Sequence, residues 1–546
     1  MEALQRTLTF DTGITFASHT KYIADRKEYH IYPEHAQQEI NAWYTTGNSD
    51  GQPLLAAFVL RELNNVTIDL GGAKLVFHGR MMPFAVFDCT NIRFMNFSID
   101  YDRPFYTQGE VVAVDDGCVT IDIPESFGYR IEGRDFVATS DTWEHRLVKG
   151  DMLFRCFDRH TKFPSQHSGV ILGLIGEQIE PGENPPLPVH HLLAEQLDGR
   201  KVRINGFPTE FRPVVGEVLA MTHEDRRKVG FLLERNEDTY LENIRLIHVG
   251  SMGLIAKLCH NITANNFSMY LDEECPDRVI TINADSFHTF HCSGKIVVEN
   301  CRFENMLDDA INIHGNYLIC DRVQDPTTIR AENRCKGIRD MQFFQPGDTI
   351  HIYKGSTQEL RGSSTVKSFA FEEGSMQYAS IQLDVPIEGV QEGDMIENRR
   401  TPEIEVRNCR VKCMGGFRIQ SDRRVLIEDC YFETSAFSVL FSGDMNYWYE
   451  NTGVRDVTIQ NCYFKNCNLP IVSDPIFTPT EQAPYYHENI RILNNVFDTY
   501  RDCVVSLRDT NHVEYRGNHY IQNQDYSKNA AEERIKLQRC SRITIE

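Results

Sequence analysis

Val425-Leu426-Ile427-Glu428-Asp429-Cys430-Tyr431-Phe432 and, 32 residues on, Val457-Thr458-Ile459-Gln460-Asn461-Cys462-Tyr463-Phe464 are two copies of one pattern. Each is a short apolar or alternating run that ends in Asn/Asp-Cys-x-Phe. Asn300-Cys301-Arg302-Phe303 and Asn408-Cys409-Arg410-Val411 repeat it. Looser copies stand at Asn96-Phe97, Asn265-Asn266-Phe267 and Asn494-Asn495-Val496-Phe497. The intervals are 21 residues from Asn408 to Asp429, 32 to Asn461 and 33 to Asn494, one basic turn with loops let out of some coils. Runs rich in β-branched and aromatic residues and bounded by turn residues read as strands. A repeat of this period marks a solenoid, in which no coil buries its apolar side alone and the neighbours supply the core. The expected fold is all-β, a right-handed parallel β-helix.

Two stretches break the pattern. Residues 107–230 and 320–400 carry Gly-Asp or Gly-Glu turns ahead of apolar alternation, as in Gly150-Asp151-Met152-Leu153, Gly216-Glu217-Val218-Leu219, Gly347-Asp348-Thr349-Ile350 and Gly393-Asp394-Met395-Ile396. They read as inserted antiparallel, barrel-like β units. The chain then divides into β-helix coils over 1–106, an insertion over 107–230, coils over 231–319, a second insertion over 320–400 and coils over 401–546.

Across the coils, Asn283-Ala284-Asp285 is followed 23 residues later by the pair Asp308-Asp309. That interval is close to one turn. Stacked strands lie about 4.8 Å apart, so Asp285 is expected beside the pair on the next coil. Three carboxylates this close cannot all ionise cheaply; one keeps its proton and another stays an anion, the division needed for a general acid and a general base. The competing structural reading is that such acids only cap turns by binding backbone amides.

Other side chains are candidates for holding substrate. His288 and His314 either orient sugar hydroxyls or partner the carboxylates, and Arg418 is either a hydroxyl donor or a salt-bridge partner. Trp448, one of three tryptophans, lies in Tyr447-Trp448-Tyr449, a composition suited to stacking on a sugar's apolar face or to packing in a core. Asp444 and Glu450 flank it, as hydroxyl ligands or loop caps.

The formal charge of −22 argues against a nucleic-acid partner and favours a neutral substrate over a polyanion. No run approaches the roughly 18 apolar residues of a membrane span, so a soluble chain with no membrane partner is expected. Of the 16 cysteines, Cys301, Cys409, Cys430 and Cys462 recur at one repeat phase, as in an interior ladder of small apolar side chains. Cys-x2-Cys spacing is absent, which speaks against zinc, and neither a metal nor an organic cofactor is expected. The start Met1-Glu2-Ala3-Leu4-Gln5-Arg6 lacks a basic, then apolar, leader pattern; the expectation is a cytoplasmic protein, or a secreted one if a leader has been removed. Assembly into a homo-oligomer is left open.

Three segments carry a resemblance: Phe77-His78-Gly79-Arg80-Met81-Met82-Pro83-Phe84; Asn283-Ala284-Asp285 with Asp308-Asp309-Ala310-Ile311-Asn312-Ile313-His314-Gly315; and Gly443-Asp444-Met445-Asn446-Tyr447-Trp448-Tyr449-Glu450. In these the chain resembles glycoside hydrolase family 110, the inverting α-1,3-galactosidases. The resemblance implies a β-helix with barrel-like insertions, Asp308 as general acid, and Asp285 or Asp309 as general base. It implies exo-action on a terminal α-1,3-linked galactose, for which His288, Asn312, His314, Arg418, Asp444, Trp448 and Glu450 are the candidate substrate-binding residues. The chain departs at Asp285-Ser286-Phe287-His288, where a small residue is expected after the aspartate; Phe287 is expected to reshape the pocket and affect the linkage attacked.

Two rivals share features. A polygalacturonase-like uronide hydrolase also combines a β-helix with Asn-x-Asp, Asp-Asp, His-Gly and Arg-Ile-x, but this chain ends the last element in Gln420, where a lysine would help hold a uronate. A carbohydrate-binding β-helix without catalysis is the other.

Overall fold

A computed structural model describes residues 4–8, 14–36, 38–40, 54–148, 152–166, 168–178, 188–223, 228–335, 342–355, 357–443, 447–475, 483–526 and 531–546. The strands stack in parallel from coil to coil. One stack runs Leu54–Arg61, Met82–Phe87, Phe231–Glu234, Leu254–Lys257, Phe287–Phe290, Asp309–Asn316, Gly415–Ile419, Phe437–Gly443, Leu469–Pro475 and Val505–Arg516, each pair in parallel register. This is the all-β parallel solenoid that the repeats predict.

The repeat has a physical origin at its turn. Asn300, Asn408, Asp429, Asn461 and Asn494 all adopt φ between 50° and 58°. Asn and Asp enter this left-handed region at less cost than other side-chain-bearing residues. Their amides also bond along the stack, Asn408 Nδ2 donating to Asn300 Oδ1 at 2.7 Å and Asn300 Nδ2 to Asn265 Oδ1 at 2.9 Å. The following Cys side chains, Cys301, Cys409, Cys430 and Cys462, point inward and are buried as free thiols. Two residues further, Phe432, Phe464 and Phe497 stack face to face with centroids 5.0 and 4.9 Å apart. The coils at Cys430 and Cys462 thus add the same turn, thiol and ring to a continuous core, while Val411 replaces the ring in one coil and Asn495 the thiol in another.

Among the described residues, two closed barrels interrupt the coils. The first is built from seven strands between Tyr106–Asp115 and Val218–Thr222. The second is built from six strands between Leu318–Asp325 and Met395–Asn398. Both are tied to the coils that carry the aspartates. On the first side, Asn283 Nδ2 donates to the Phe105 carbonyl at 2.9 Å. Gly315 and Asn316, which lead into the second barrel, pair antiparallel with Asn451 and Glu450 of a later coil, and Asn316 Nδ2 donates to the Trp448 carbonyl at 3.0 Å.

Candidate active site

The register Phe287↔Ile311 and Asp309↔Gly415 lines up three successive coils. Alternation then sorts the side chains. Phe287, Ile311, Ile313, Phe417 and Ile419 enter the solenoid core, whereas His288, Asn312 and Arg418 stand in one row on the opposite face. Phe287 is fully buried in that core, so it does not reshape the pocket as the sequence suggested; strand alternation hands the site to its neighbour His288.

The row brings the three aspartates together. One carboxylate oxygen from each of Asp285, Asp308 and Asp309 lies within 4.8 Å of the others. Asp285 and Asp309 are each 3 % exposed, while Asp308 is partly exposed at the rim. The Asp309 amide donates to Asp285 Oδ1 at 3.2 Å, and Arg418 Nε donates to Asp309 Oδ2 at 2.9 Å. Gly415, opposite Asp309, leaves the space this requires, since a β-carbon there would fall 2.3 Å from Asp309 Oδ1.

Behind the trio runs a chain of polar groups. Asp285 Oδ2 is hydrogen-bonded to His288 Nδ1, His288 Nε2 meets His314 Nε2 at 2.9 Å, and His314 Nδ1 meets the Gly315 carbonyl at 2.7 Å. Glu450 lies 3.6 Å from His314 Nε2 and 3.6 Å from Arg418 Nη1, which closes a ring back to Asp309. Asn312 also bonds the Glu450 carboxylate.

Electrostatics follow from burial and, among the described residues, from four acids around Arg418. Burial pushes the Asp309 carboxyl well above the usual carboxylate range, and Asp308 and Asp285 push the same way against Arg418. Arg418 shares its single charge between Asp309 and Glu450, so it cannot neutralise the whole cluster. Burial would also raise Glu450, but His314, Arg418, His288 and the Asn312 hydrogen bond together hold it below its ordinary value. Burial pushes His314 down to about 4, so its ring is neutral near pH 7.

Among the described residues, Asp285, Asp308 and Asp309 form the group whose ligand atoms come close enough to share an ion. Arg418 on Asp309 and His288 on Asp285 already engage oxygens that an ion would need, so the set suits proton transfer better than ion binding. One oxygen of each carboxylate stands within 4.8 Å of the others, whereas the paired carboxyl groups are roughly 6.5–9.5 Å apart in inverting glycosidases and roughly 5–5.5 Å apart in retaining ones.

Of the remaining sequence candidates, Glu450 and Asn312 join the buried ring, and Trp448 is half-buried against the apolar cluster that includes the second barrel. Asp444 lies outside the described residues. Phe290 was not foreseen. Its ring stacks on His288 at 4.4 Å and meets His314 edge-on at 4.7 Å. The signal was present, since residues 288 and 290 share one face of a strand. Gln420, the position that weighs against a uronate, is 1 % exposed and donates to Ser442 Oγ at 2.8 Å.

Comparison with known proteins gives a consistent picture. Residues 107–219 match the family described as GLAA-B β-barrel domain I. The chain is similar to α-1,3-galactosidase B of Bacteroides thetaiotaomicron, at 31% identity over 95% of this chain and 83% of that protein. It is similar to α-1,3-galactosidase B of Phocaeicola vulgatus, at 28% identity over 93% of this chain and 87% of that protein. With α-1,3-galactosidase A of Shewanella woodyi it shares 26% identity over 89% of this chain and 78% of that protein.

Proposed function

The chain belongs to the α-1,3-galactosidase family, glycoside hydrolase family 110, and from that premise we propose that it removes terminal α-1,3-linked galactose from neutral glycans by acid–base catalysis with inversion. The observation that carries this reading is the meeting of Asp285, Asp308 and Asp309, from two stacked coils, within 4.8 Å. Asp308, the one partly exposed member, donates its proton to the departing glycosidic oxygen. Asp285 takes a proton from a water that attacks the anomeric carbon as the old bond breaks, since burial holds the Asp309 carboxyl well above the usual carboxylate range.

The short spacing favours a second reading, in which a carboxylate attacks the sugar directly and configuration is retained. Burial argues against it. Asp285 and Asp309 are each 3 % exposed and held by Asp309's own amide, His288 and Arg418, so a small water reaches the sugar more readily than either carboxylate does.

Asp308→Asn tests the assignment. Hydrolysis of Gal-α-1,3-Gal by the variant is expected to fall by about 10²–10⁴-fold, the range for losing a general acid or base. A variant that keeps the wild-type rate would exclude Asp308 as the acid.

A further inference from the structure

The hydrogen-bond chain behind the trio has a direction, and the direction follows from one carbonyl. A carbonyl oxygen only accepts, so His314 Nδ1, 2.7 Å from Gly315 O, carries a hydrogen. A neutral His314 then has only a lone pair on Nε2. His288 Nε2, 2.9 Å away, must therefore donate, and it carries a hydrogen too. What is left is the contact between His288 Nδ1 and Asp285 Oδ2. A carboxylate and a ring lone pair cannot bond to each other, so one hydrogen lies between them, on the imidazolium or on the carboxyl.

We propose that His288 and His314 are positioning residues: His314, anchored on the Gly315 carbonyl, obliges His288 to donate toward it, so that Asp285 and His288 share one proton and Asp285 is held in fixed orientation and basicity beside Asp308 and Asp309. This rests on the acid–base reading of the trio and adds to it a reason for two histidines that otherwise would be sugar ligands. Both nitrogens of His288 and both of His314 are engaged by protein groups, which leaves them turned away from a sugar hydroxyl.

Among the described residues, several groups face the pair. Phe290 stacks on His288, Ile255 and Asn312 flank it in register on the neighbouring coils, and Glu450 and Arg418 lie beyond His314 and Asp309. His291 adds a further ring near His314, itself driven neutral by burial, down to about 3. Burial of His314, which pushes it down to about 4, keeps the direction of the chain fixed above that pH. In the reaction the proton count is conserved: Asp308 loses one to the leaving oxygen, the base of the trio gains one from water, and the proton between Asp285 and His288 stays between them.

Loss of that shared proton at high pH leaves a carboxylate facing a lone pair, so the alkaline limb of the pH–rate profile reports on it. His288→Asn puts a permanent amide donor against Asp285 and removes the titration. His314→Gln keeps an acceptor for His288 but not a fixed one. For His288→Asn we expect kcat to fall by about 10–100-fold with KM nearly unchanged, and the alkaline limb to move by at least about one pH unit. His314→Gln is expected to lie between it and the wild type. Profiles of both variants that superimpose on the wild type after scaling would overturn the proposal, as would a rise in KM with kcat preserved, which marks sugar ligands. Asp308→Asn, assayed alongside, separates the two levels. Wild-type rates there would overturn the trio reading and this proposal with it, whereas an inactive Asp308→Asn with superimposed profiles would overturn this proposal alone.

Discussion

At Asp309 a carboxyl is buried beside two others and bonded to Arg418, and its burial gives this residue a pH dependence of its own. Its folded pKa is raised above the unfolded value of about 3.9. A raised carboxyl gives stability that is present below the unfolded pKa and is lost as pH rises through the folded one, because the folded state holds the proton longer. Asp309→Asn removes that titration. Its thermal midpoint is expected to fall less between pH 5 and pH 8 than the wild type's, a comparison that differential scanning calorimetry makes directly; an equal or steeper fall would contradict the raised carboxyl. The sequence disclosed the trio through its 23-residue phase, yet it did not disclose the hydrogen-bond direction at His288 and His314. That depends on a backbone carbonyl, Gly315, which no residue type announces.

At the scale of the strand and turn, the legible signal was the Asn/Asp-Cys-x-Phe repeat, because left-handed backbone, buried thiol and stacked ring each demand a narrow choice of residue. The account predicts that Asn408→Ala costs about 1–2 kcal/mol, since alanine pays for φ of +50° and loses the bond to Asn300. Asn408→Gly is expected to cost less, glycine entering that region freely. Equal losses in urea unfolding would mean that the amide ladder, not the backbone, selects asparagine. Phe287 shows the opposite case. Its identity looked like a pocket feature, but face assignment comes from register with Leu254 and Ile311, and a one-residue shift in phase moves a side chain from core to site. The 23-residue Asp285–Asp308 interval came within one residue of the observed register, in which Phe287 pairs with Ile311, 24 residues on, and it did not say which face each strand residue takes.

Over the whole molecule, the solenoid supplies a row of side chains; Asn283 bonds the chain just ahead of the first barrel, at Phe105, and Asn316, just ahead of the second, bonds the Trp448 carbonyl. The barrels were legible only as departures from the repeat, since antiparallel closure leaves no fixed period in the sequence. A net charge of −22 and a site holding four acids around Arg418 fit a neutral sugar better than a uronide, and the relatives named as α-1,3-galactosidases agree with that choice. What the trio's spacing leaves in tension is stereochemistry, because oxygens within 4.8 Å stand closer than the usual inverting pair. Proton NMR of the anomeric signals during hydrolysis of Gal-α-1,3-Gal addresses this most directly. The account predicts that β-galactose appears first and the α anomer grows in later by mutarotation; α-galactose as the first product would contradict attack by water and assign a buried aspartate as nucleophile.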